Sequence, residues 1–319
     1  GGAASIGGTL DLNEASFARF APGTLDAEAV DRLNARARAM FDRHAARLDA
    51  RQRAGLLKHC HGDLHLRNIF LGPTGPTIFD AIEFNEAFAV IDVFYDFAFL
   101  LMDLDRFRMR RLGSFVLNHY LDVTWDTEGL RLLPLFLSMR AAIRAHVACA
   151  VASGAEDAAA AEGPRADAAD YHRMALEYLD VSPTRLIAVG GLSGSGKSRM
   201  ARELAPFVGS RPGARVIRSD VLRKRIAGVP FLTHLGPRGY TPEMTEKTYQ
   251  TLYAEVRAAL TTGHSVVADA VFARPEQREA VERIADEAGV PFQGIWMEAP
   301  PEVMEHRVIK RQRNVSDAD

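Results

Sequence analysis

The octapeptide Gly191-Leu192-Ser193-Gly194-Ser195-Gly196-Lys197-Ser198 has the glycine spacing and the lysine–hydroxyl pair of a Walker A phosphate loop. Its glycines let the backbone turn tightly, so that consecutive N–H groups and the positive end of a following helix converge where phosphate oxygens can sit. Lys197 is expected to reach the β- and γ-phosphates of ATP, and the Ser198 hydroxyl to bind Mg2+. Gly191, Ser193, Gly194, Ser195 and Gly196 supply the rest of the expected nucleotide site. Lysine is scarce in this arginine-rich chain, with five at positions 58, 197, 224, 247 and 310, and one of them stands where the motif requires it.

A second group of residues follows the loop. Arg215-Val-Ile-Arg218-Ser219-Asp220 ends a strand-like run on a carboxylate, with Arg223 three residues later at the start of a helix. In a parallel sheet with a phosphate loop, that strand end is the ligand-binding edge. Asp220 there can accept the proton of an attacking hydroxyl, and Arg223 can clamp an acceptor's phosphate or carboxylate. The bland alternative makes Asp220 a helix N-cap beside a solvated basic face. Ser265-Val-Val-Ala-Asp269 is a hydrophobic strand ending in an acid, the form of a Walker B element that serves magnesium, or else a strand-end cap. Arg307, Arg311 and Arg313 recur at helical spacing, as a lid over the nucleotide or as a solvated face.

The amino-terminal half carries its own constellation. In His61-Gly62-Asp63-Leu64-His65-Leu66-Arg67-Asn68 an aspartate precedes an asparagine by five residues, and Asp80 follows two short strands. That is the spacing of a kinase-type catalytic loop, in which Asp63 accepts a hydroxyl proton while Asn68 and Asp80 hold magnesium on the nucleotide phosphates. The alternative is a turn closed by local side-chain-to-backbone hydrogen bonds. Cys60 lies beside this loop and reads as a small buried hydrophobe rather than a nucleophile.

The elements that must position these residues are legible as periodicities. Residues 26–53 show a helical stripe of Val30, Leu33, Ala37, Met40, Phe41 and Leu48. Strand-like pieces follow around Leu56, at 69–71 and at 77–79, the last two separated by a Gly-Pro-Thr-Gly-Pro turn. Helices dominate from Val90 to about Ser153, and the Ala-, Gly-, Glu- and Asp-rich stretch 155–169 reads as a linker, with a short helix at 171–179. From Arg185 onward, strand-like runs at 186–189, 215–217, 265–268 and 292–297 alternate with helical ones, the signature of a parallel sheet covered by helices. A helix follows the phosphate loop at 198–208, Thr241-Pro242 marks another helix start, and Gly263 and Gly289 mark helix ends. The expected division is therefore 1–154, a linker with a short helix at 155–183, and a phosphate-loop domain at 184–319.

Composition sets outer limits. At 319 residues, 47% of them hydrophobic, the chain can bury two cores. A formal charge of −2 argues against a surface built wholly for nucleic acid or anionic membrane. Cys60 and Cys149 are the two cysteines, without metal-ligand spacing, and neither a signal peptide nor an uninterrupted membrane-spanning apolar run is apparent, so a cytoplasmic location is expected. The chain starts at Gly1 without a methionine and ends in a polar run at Asp319, and both ends are expected to be truncated.

Residues 184–319 resemble the small phosphate-loop kinases that include phage polynucleotide kinase and the zeta-toxin-like kinases. The carriers are GLSGSGKS, Asp220-x-x-Arg223 and the lid-like Arg307-x-x-x-Arg311. That resemblance implies Asp220 as general base and Arg223 as ligand of an acceptor phosphate. His61-Gly62-Asp63, with Asn68, Asp80 and Asp96, is similar to the aminoglycoside phosphotransferase and choline kinase group, in which an acid at the position of Asp96 braces the catalytic loop. A family member of that kind has an amino-terminal lobe with a nucleotide-binding lysine, and no lysine precedes Lys58, so the first half resembles a carboxyl lobe alone. The order of the halves, with Ile82-Glu83-Phe84-Asn85 and 99–103, resembles bacterial fusions of an aminoglycoside phosphotransferase-like domain with an AAA-family ATP-binding domain.

The expected fold is thus α/β: a mainly helical kinase-like carboxyl lobe followed by a P-loop domain. The expected activity is ATP- and Mg2+-dependent phosphoryl transfer to the hydroxyl of a small molecule. Two alternatives stay open. One is a nucleotide-operated switch or scaffold without acceptor chemistry. The other is a nucleic-acid 5′-hydroxyl kinase, for which Arg215, Arg218, Arg223, Lys224 and Arg225 supply charge but no interleaved base-stacking aromatics.

Overall fold

A computed structural model describes residues 2–83 and 86–309 of the chain. Arg311 and Arg313, expected in a lid, and Phe84 and Asn85 of the fusion signature lie outside the described residues. Chain order begins with α1 (Gly2–Phe20), α2 (Ala27–Arg53), β1 (Leu57–His59), β2 (Ile69–Gly72), β3 (Gly75–Ile78), α3 (Glu86–Ala89) and β4 (Val90–Asp92). Helices α4 (Val93–Arg106), α5 (Arg110–Thr124), α6 (Leu133–Ser153) and α7 (Ala158–Tyr178) follow. The remainder alternates: β5 (Leu186–Gly191), α8 (Lys197–Leu204), β6 (Arg215–Arg218), α9 (Ser219–Ile226), α10 (Pro242–Thr261), β7 (Val266–Asp269), α11 (Pro275–Ala288), β8 (Phe292–Met297) and α12 (Pro301–Ile309).

The chain forms two compact units, and they do not follow the expected boundaries. One unit takes the chain up to Met109 and resumes over Leu132–Val181; the other takes Arg110–Arg131 and the chain from Ser182 onward. Helix α5 thus belongs with the phosphate-loop sheet although it lies within the expected first domain. The expected linker at 155–169 is also helical, as the first half of α7, which packs along α6. Its alanines are the best helix formers, and Asp157 caps the start by accepting the Ala160 N–H at 2.8 Å.

In the first unit, α6 is the central helix, with α1, α2, α4 and α7 packed on it. It is long and apolar enough to cross a membrane by length and composition, although Arg140 and Arg144 interrupt its apolar run, and most of it is buried inside the fold. The stripe on α2 buries Val30, Leu33, Ala37 and Leu48, as its spacing requires. Asp26 starts that helix, accepting the Ala29 N–H at 2.9 Å. β1 pairs antiparallel with β4, and β2 with β3. A buried ion pair, Arg51 Nε to Asp92 Oδ2 at 2.6 Å, ties α2 to the end of β4.

The second unit is an α/β layer. Four parallel strands run in the order β6-β7-β5-β8, so the strand leading into the phosphate loop is central. Ile187, Val189, Val216 and Val267 on the strands pack with Ala201, Ala205 and Val208 into one apolar cluster. Thr241 caps α10 through the Met244 N–H, and Gly289 ends α11 in the left-handed region at φ 64°. The order 6-7-5-8 reverses direction between β7 and β5, and ligands of such sheets bind at the carboxyl ends of the strands near a reversal.

Candidate active site

The phosphate loop connects the carboxyl end of β5 to the first turn of α8. Gly191 has φ 145° and Gly194 φ 84°, values that side chains rarely adopt. Space forbids side chains there as well: a Cβ on Gly191 would stand 2.6 Å from the Met297 oxygen, and one on Gly194 2.6 Å from the Met304 oxygen. The loop is thus wedged between the end of β8 and α12. Arg307 of α12 donates from Nη1 to the Gly194 carbonyl at 3.1 Å, so the first of the expected lid arginines touches the loop directly. Lys197 is 6% exposed although it carries a charge, and Ser195 is 3% exposed with an Oγ that has no hydrogen-bond partner. A buried orphan hydroxyl and a buried ammonium at one helix start are what a bound phosphate chain would satisfy.

At the neighbouring strand end, the Asp269 carboxylate lies near the Ser198 side chain. Asp269 is 3% exposed, and its Oδ1 lacks a partner. Burial pushes its pKa up, opposed by the nearby Arg218, Ser198 and Lys197 side chains. A hydroxyl and an acid side by side, with one carboxylate oxygen unsatisfied, fit a magnesium ion bound at Ser198 with Asp269 behind it. Arg218, at the end of β6, faces the same carboxylate at 3.5 Å from its Nε.

Asp220 lies in the first turn of α9, half-buried, and its charge is felt by both Asp269 and Tyr249. Lys197, Ser198, Asp220 and Asp269 therefore come together at one sheet edge. Arg223 does not stand open beside them. It is 6% exposed, donates from Nη1 to the Gly239 carbonyl at 2.8 Å, and lies over the Tyr240 ring at 4.6 Å. In this arrangement it braces the 237–240 turn. Its Nε has no hydrogen-bond partner.

Three participants gave no signal as a motif. Tyr249 of α10 accepts the Phe272 N–H at 3.0 Å, holding that buried residue at φ 50° just beyond β7. Arg199 and Arg202 follow Ser198 on α8 at a spacing of three, which a helical projection from the loop would have placed on one face.

In the first unit, the His61–Asn68 segment forms a tight loop ending in a 3-10 turn. Asn68 Nδ2 donates to the Asp63 carbonyl at 3.0 Å and to its Oδ2 at 3.3 Å. His65 Nε2 lies 3.2 Å from Asp63 Oδ2, and this hydrogen bond holds the Asp63 carboxyl below the usual range. Asp96 accepts the His61 N–H at 3.1 Å and the Gly62 N–H at 2.9 Å, while Arg140 donates to the Gly62 carbonyl at 3.2 Å. The acid does brace the loop. The Phe79 N–H bonds the Asn68 carbonyl at 3.1 Å, which brings the next residue, Asp80 at φ 62°, to the same end. Burial and the acids Asp96 and Asp92 push the Cys60 thiol up to about 11, which removes it as a thiolate nucleophile.

Comparison with known proteins agrees with the second unit's geometry. Residues 186–319 match the AAA domain family AAA_33. The chain is 32% identical over 274 residues to an uncharacterized protein of Mycobacterium tuberculosis (strain H37Rv), covering 84% of this chain and 53% of the relative. An uncharacterized protein of Mycobacterium bovis matches with the same 32% identity and coverage. The chain thus spans about half the length of these curated relatives, 53%. An adenylyl-sulfate kinase of Myxococcus xanthus is 31% identical over 121 residues, covering 38% of this chain and 60% of the relative. The crystal structure of a sugar kinase from Janibacter sp. overlaps with a TM-score of 0.31 at 23% identity, covering 42% of this chain and 70% of that one. The carboxyl-terminal part of the chain is a P-loop domain of kinase type.

Proposed function

We propose that this protein transfers the γ-phosphoryl group of ATP, with Mg2+, to a hydroxyl of a small molecule at the carboxyl edge of the sheet β6-β7-β5-β8. The observations that carry the reading are the buried Lys197 and the unpartnered Ser195 hydroxyl at the head of α8, beside the buried Asp269 whose Oδ1 lacks a partner. Lys197, Ser195 and the amides of residues 191–198 bind the phosphate chain. Ser198, with Asp269 behind it, would hold the magnesium ion, whose charge would offset that of the phosphates. Asp220 takes the acceptor hydroxyl's proton as its oxygen bonds to the γ-phosphorus and the bond to ADP breaks. Arg307, already on the Gly194 carbonyl, stabilises charge on the transferred group. Two free cysteines suit a reducing compartment.

In this reading the Asp63, Asn68 and Asp80 loop is either a second phosphotransfer site with Asp63 as its base, completed by an amino-terminal lobe, or a scaffold without one. The test of the leading site is Lys197→Ala in titration calorimetry with Mg-ATP. Loss of measurable binding supports it, and full retained affinity assigns the nucleotide elsewhere.

One observation favours a second reading. Arg223 is committed to Gly239 and Tyr240 rather than open to an acceptor, as in a nucleotide-operated switch. Turnover separates the two: labelled phosphate transferred to an organic acceptor supports the kinase, and label released only as inorganic phosphate supports the switch.

A further inference from the structure

Helix α5 lies beside the edge strand β6, and between it, α8 and residues 230–232 the second unit encloses a cavity of about 750 Å³. Its cations are unevenly matched. Arg111 is paired with Glu203 at 3.3 Å, and Asp122 is taken by Arg215 at 2.6 Å. That uses both acids of the lining. Arg199 and Arg202 from α8 form no ion pair among the described residues, while the Arg218 Nε at the end of β6 faces the Asp269 carboxylate at 3.5 Å without making a hydrogen bond. Like charges gathered beside a cavity are costly unless an anion joins them.

The opposite wall is aromatic. Phe115 and His119 of α5 stack with ring centroids 6.2 Å apart and planes 3° from parallel, and Phe115 is 57% exposed. Phe231 lines the cavity as well. Guanidinium groups recognise phosphate, sulfate and carboxylate through paired hydrogen bonds, and aromatic faces take a planar or apolar portion. Arg218 joins this cavity to the Walker site, since it faces the Asp269 carboxylate beside Ser198. The α5 wall lies outside the residues that match the AAA domain family.

We propose that the cavity between α5 and α8 binds the phosphoryl acceptor, and that this acceptor is a small organic anion: a phosphate, sulfate or carboxylate carried on a planar or apolar body, with a hydroxyl. This assignment rests on the kinase reading for the word acceptor, but its anion site does not. Arg199, Arg202 and Arg218 receive the anion, and Phe115 covers the body. The free hydroxyl forms the new bond to the γ-phosphorus as ADP leaves, its proton passing to Asp220.

Phenyl phosphate is the probe, titrated by calorimetry into the Lys197→Ala protein so that the Walker loop does not compete for phosphate. Saturable binding is expected, weakened tenfold or more by adding Arg199→Gln and Arg202→Gln, and severalfold by adding Phe115→Ala instead. All three side chains are exposed, so the melting temperature should stay near that of the parent. No saturable binding up to about 10 mM, or equal affinity with and without the two arginines, overturns the site.

The second measurement follows label from ATP on the otherwise unmodified protein. Hydroxyl-bearing phosphate monoesters and hydroxy acids are compared with neutral sugars and nucleosides. Label on anionic acceptors that falls tenfold or more in the arginine double variant supports the acceptor role. Label on neutral acceptors that is indifferent to the double variant overturns it. With ATP bound but no label on any compound, the kinase reading and the acceptor role fail together, while the anion site still stands or falls on phenyl phosphate.

Discussion

Asn118 pairs with Val216 as a neighbouring strand would. Its Oδ1 accepts the Val216 N–H at 2.6 Å, and its Nδ2 donates to the Ala214 carbonyl at 3.1 Å, so one amide side chain of α5 satisfies two backbone groups on the open edge of β6. Arg215 reinforces the contact by donating to the Asn118 carbonyl at 3.1 Å.

Replacing Asn118 with leucine keeps the volume and strips both hydrogen bonds. The loss expected is about 1–3 kcal/mol for the buried groups left unpaired. Chemical denaturation of the two proteins reads it directly, and an unchanged midpoint would mean that water serves the edge equally well.

Asp269→Asn and Asp220→Asn should differ in kind. The first removes the charge behind Ser198, so Mg-ATP affinity falls tenfold or more while affinity for ATP in the presence of a chelator changes little. The second leaves Mg-ATP binding close to the parent value and slows transfer by about a hundredfold or more, as loss of a general base implies. Equal loss of binding in both would make Asp220 a structural residue of α9.

Asp96 supports the amino-terminal loop from a buried position, where burial holds its pKa above the usual carboxylate range. Asp96→Asn weakens the acceptor for the His61 and Gly62 N–H groups and leaves Arg140, whose Nη2 is 3.6 Å away, as a buried cation without its acid. A destabilisation of roughly 3–5 kcal/mol follows for breaking such a pair. Arg140→Met combined with Asp96→Asn should recover part of it in a double-mutant cycle, and strict additivity would deny the coupling.

His264 is 5% exposed, with Nε2 at 2.9 Å from the Gly213 carbonyl, and burial lowers its pKa to about 4. An unfolded histidine titrates near 6.5. Between those values the unfolded chain binds the proton and the folded one does not, so stability contributed by neutral His264 is full above about pH 6.5 and lost as pH falls toward 4. The loss is on the order of 3 kcal/mol across the window. Melting curves from pH 7 to 5 should decline less steeply in His264→Gln, and parallel declines would remove His264 as a source.

The site was legible wherever chemistry demands a fixed spacing. The Walker loop follows β5, Asp220 stands just beyond β6 in the first turn of α9 and Asp269 ends β7, and the strand-like runs read from the sequence reappear as β5, β6, β7 and β8. What escaped was set by tertiary context. Alanines and acids at 155–169 read as linker by composition, yet they favour helix once α6 offers a surface. α1 was hidden by its glycines, which lower helix propensity, although Ile6, Leu10 and Phe17 recur on one face and are buried. Arg223 was expected at an acceptor because its spacing from Asp220 fits one; nothing in the sequence announces that Gly239 and Tyr240 fold over it. α5 reads as one helix among several, and its attachment to β6 depends on a side-chain amide whose partner lies 98 residues away.

That attachment bears on where the chain can be cut. A fragment beginning at Ser182 carries the whole AAA domain match, yet it leaves α5 behind with Asn118 and Asp122. β6 would then present an unpaired Val216 N–H and an unpaired Ala214 carbonyl, beside an Arg215 deprived of its acid. A bare strand edge recruits other strands. Such a fragment is expected to aggregate, and physically excising the kinase domain requires grafting the Arg110–Arg131 segment back onto it.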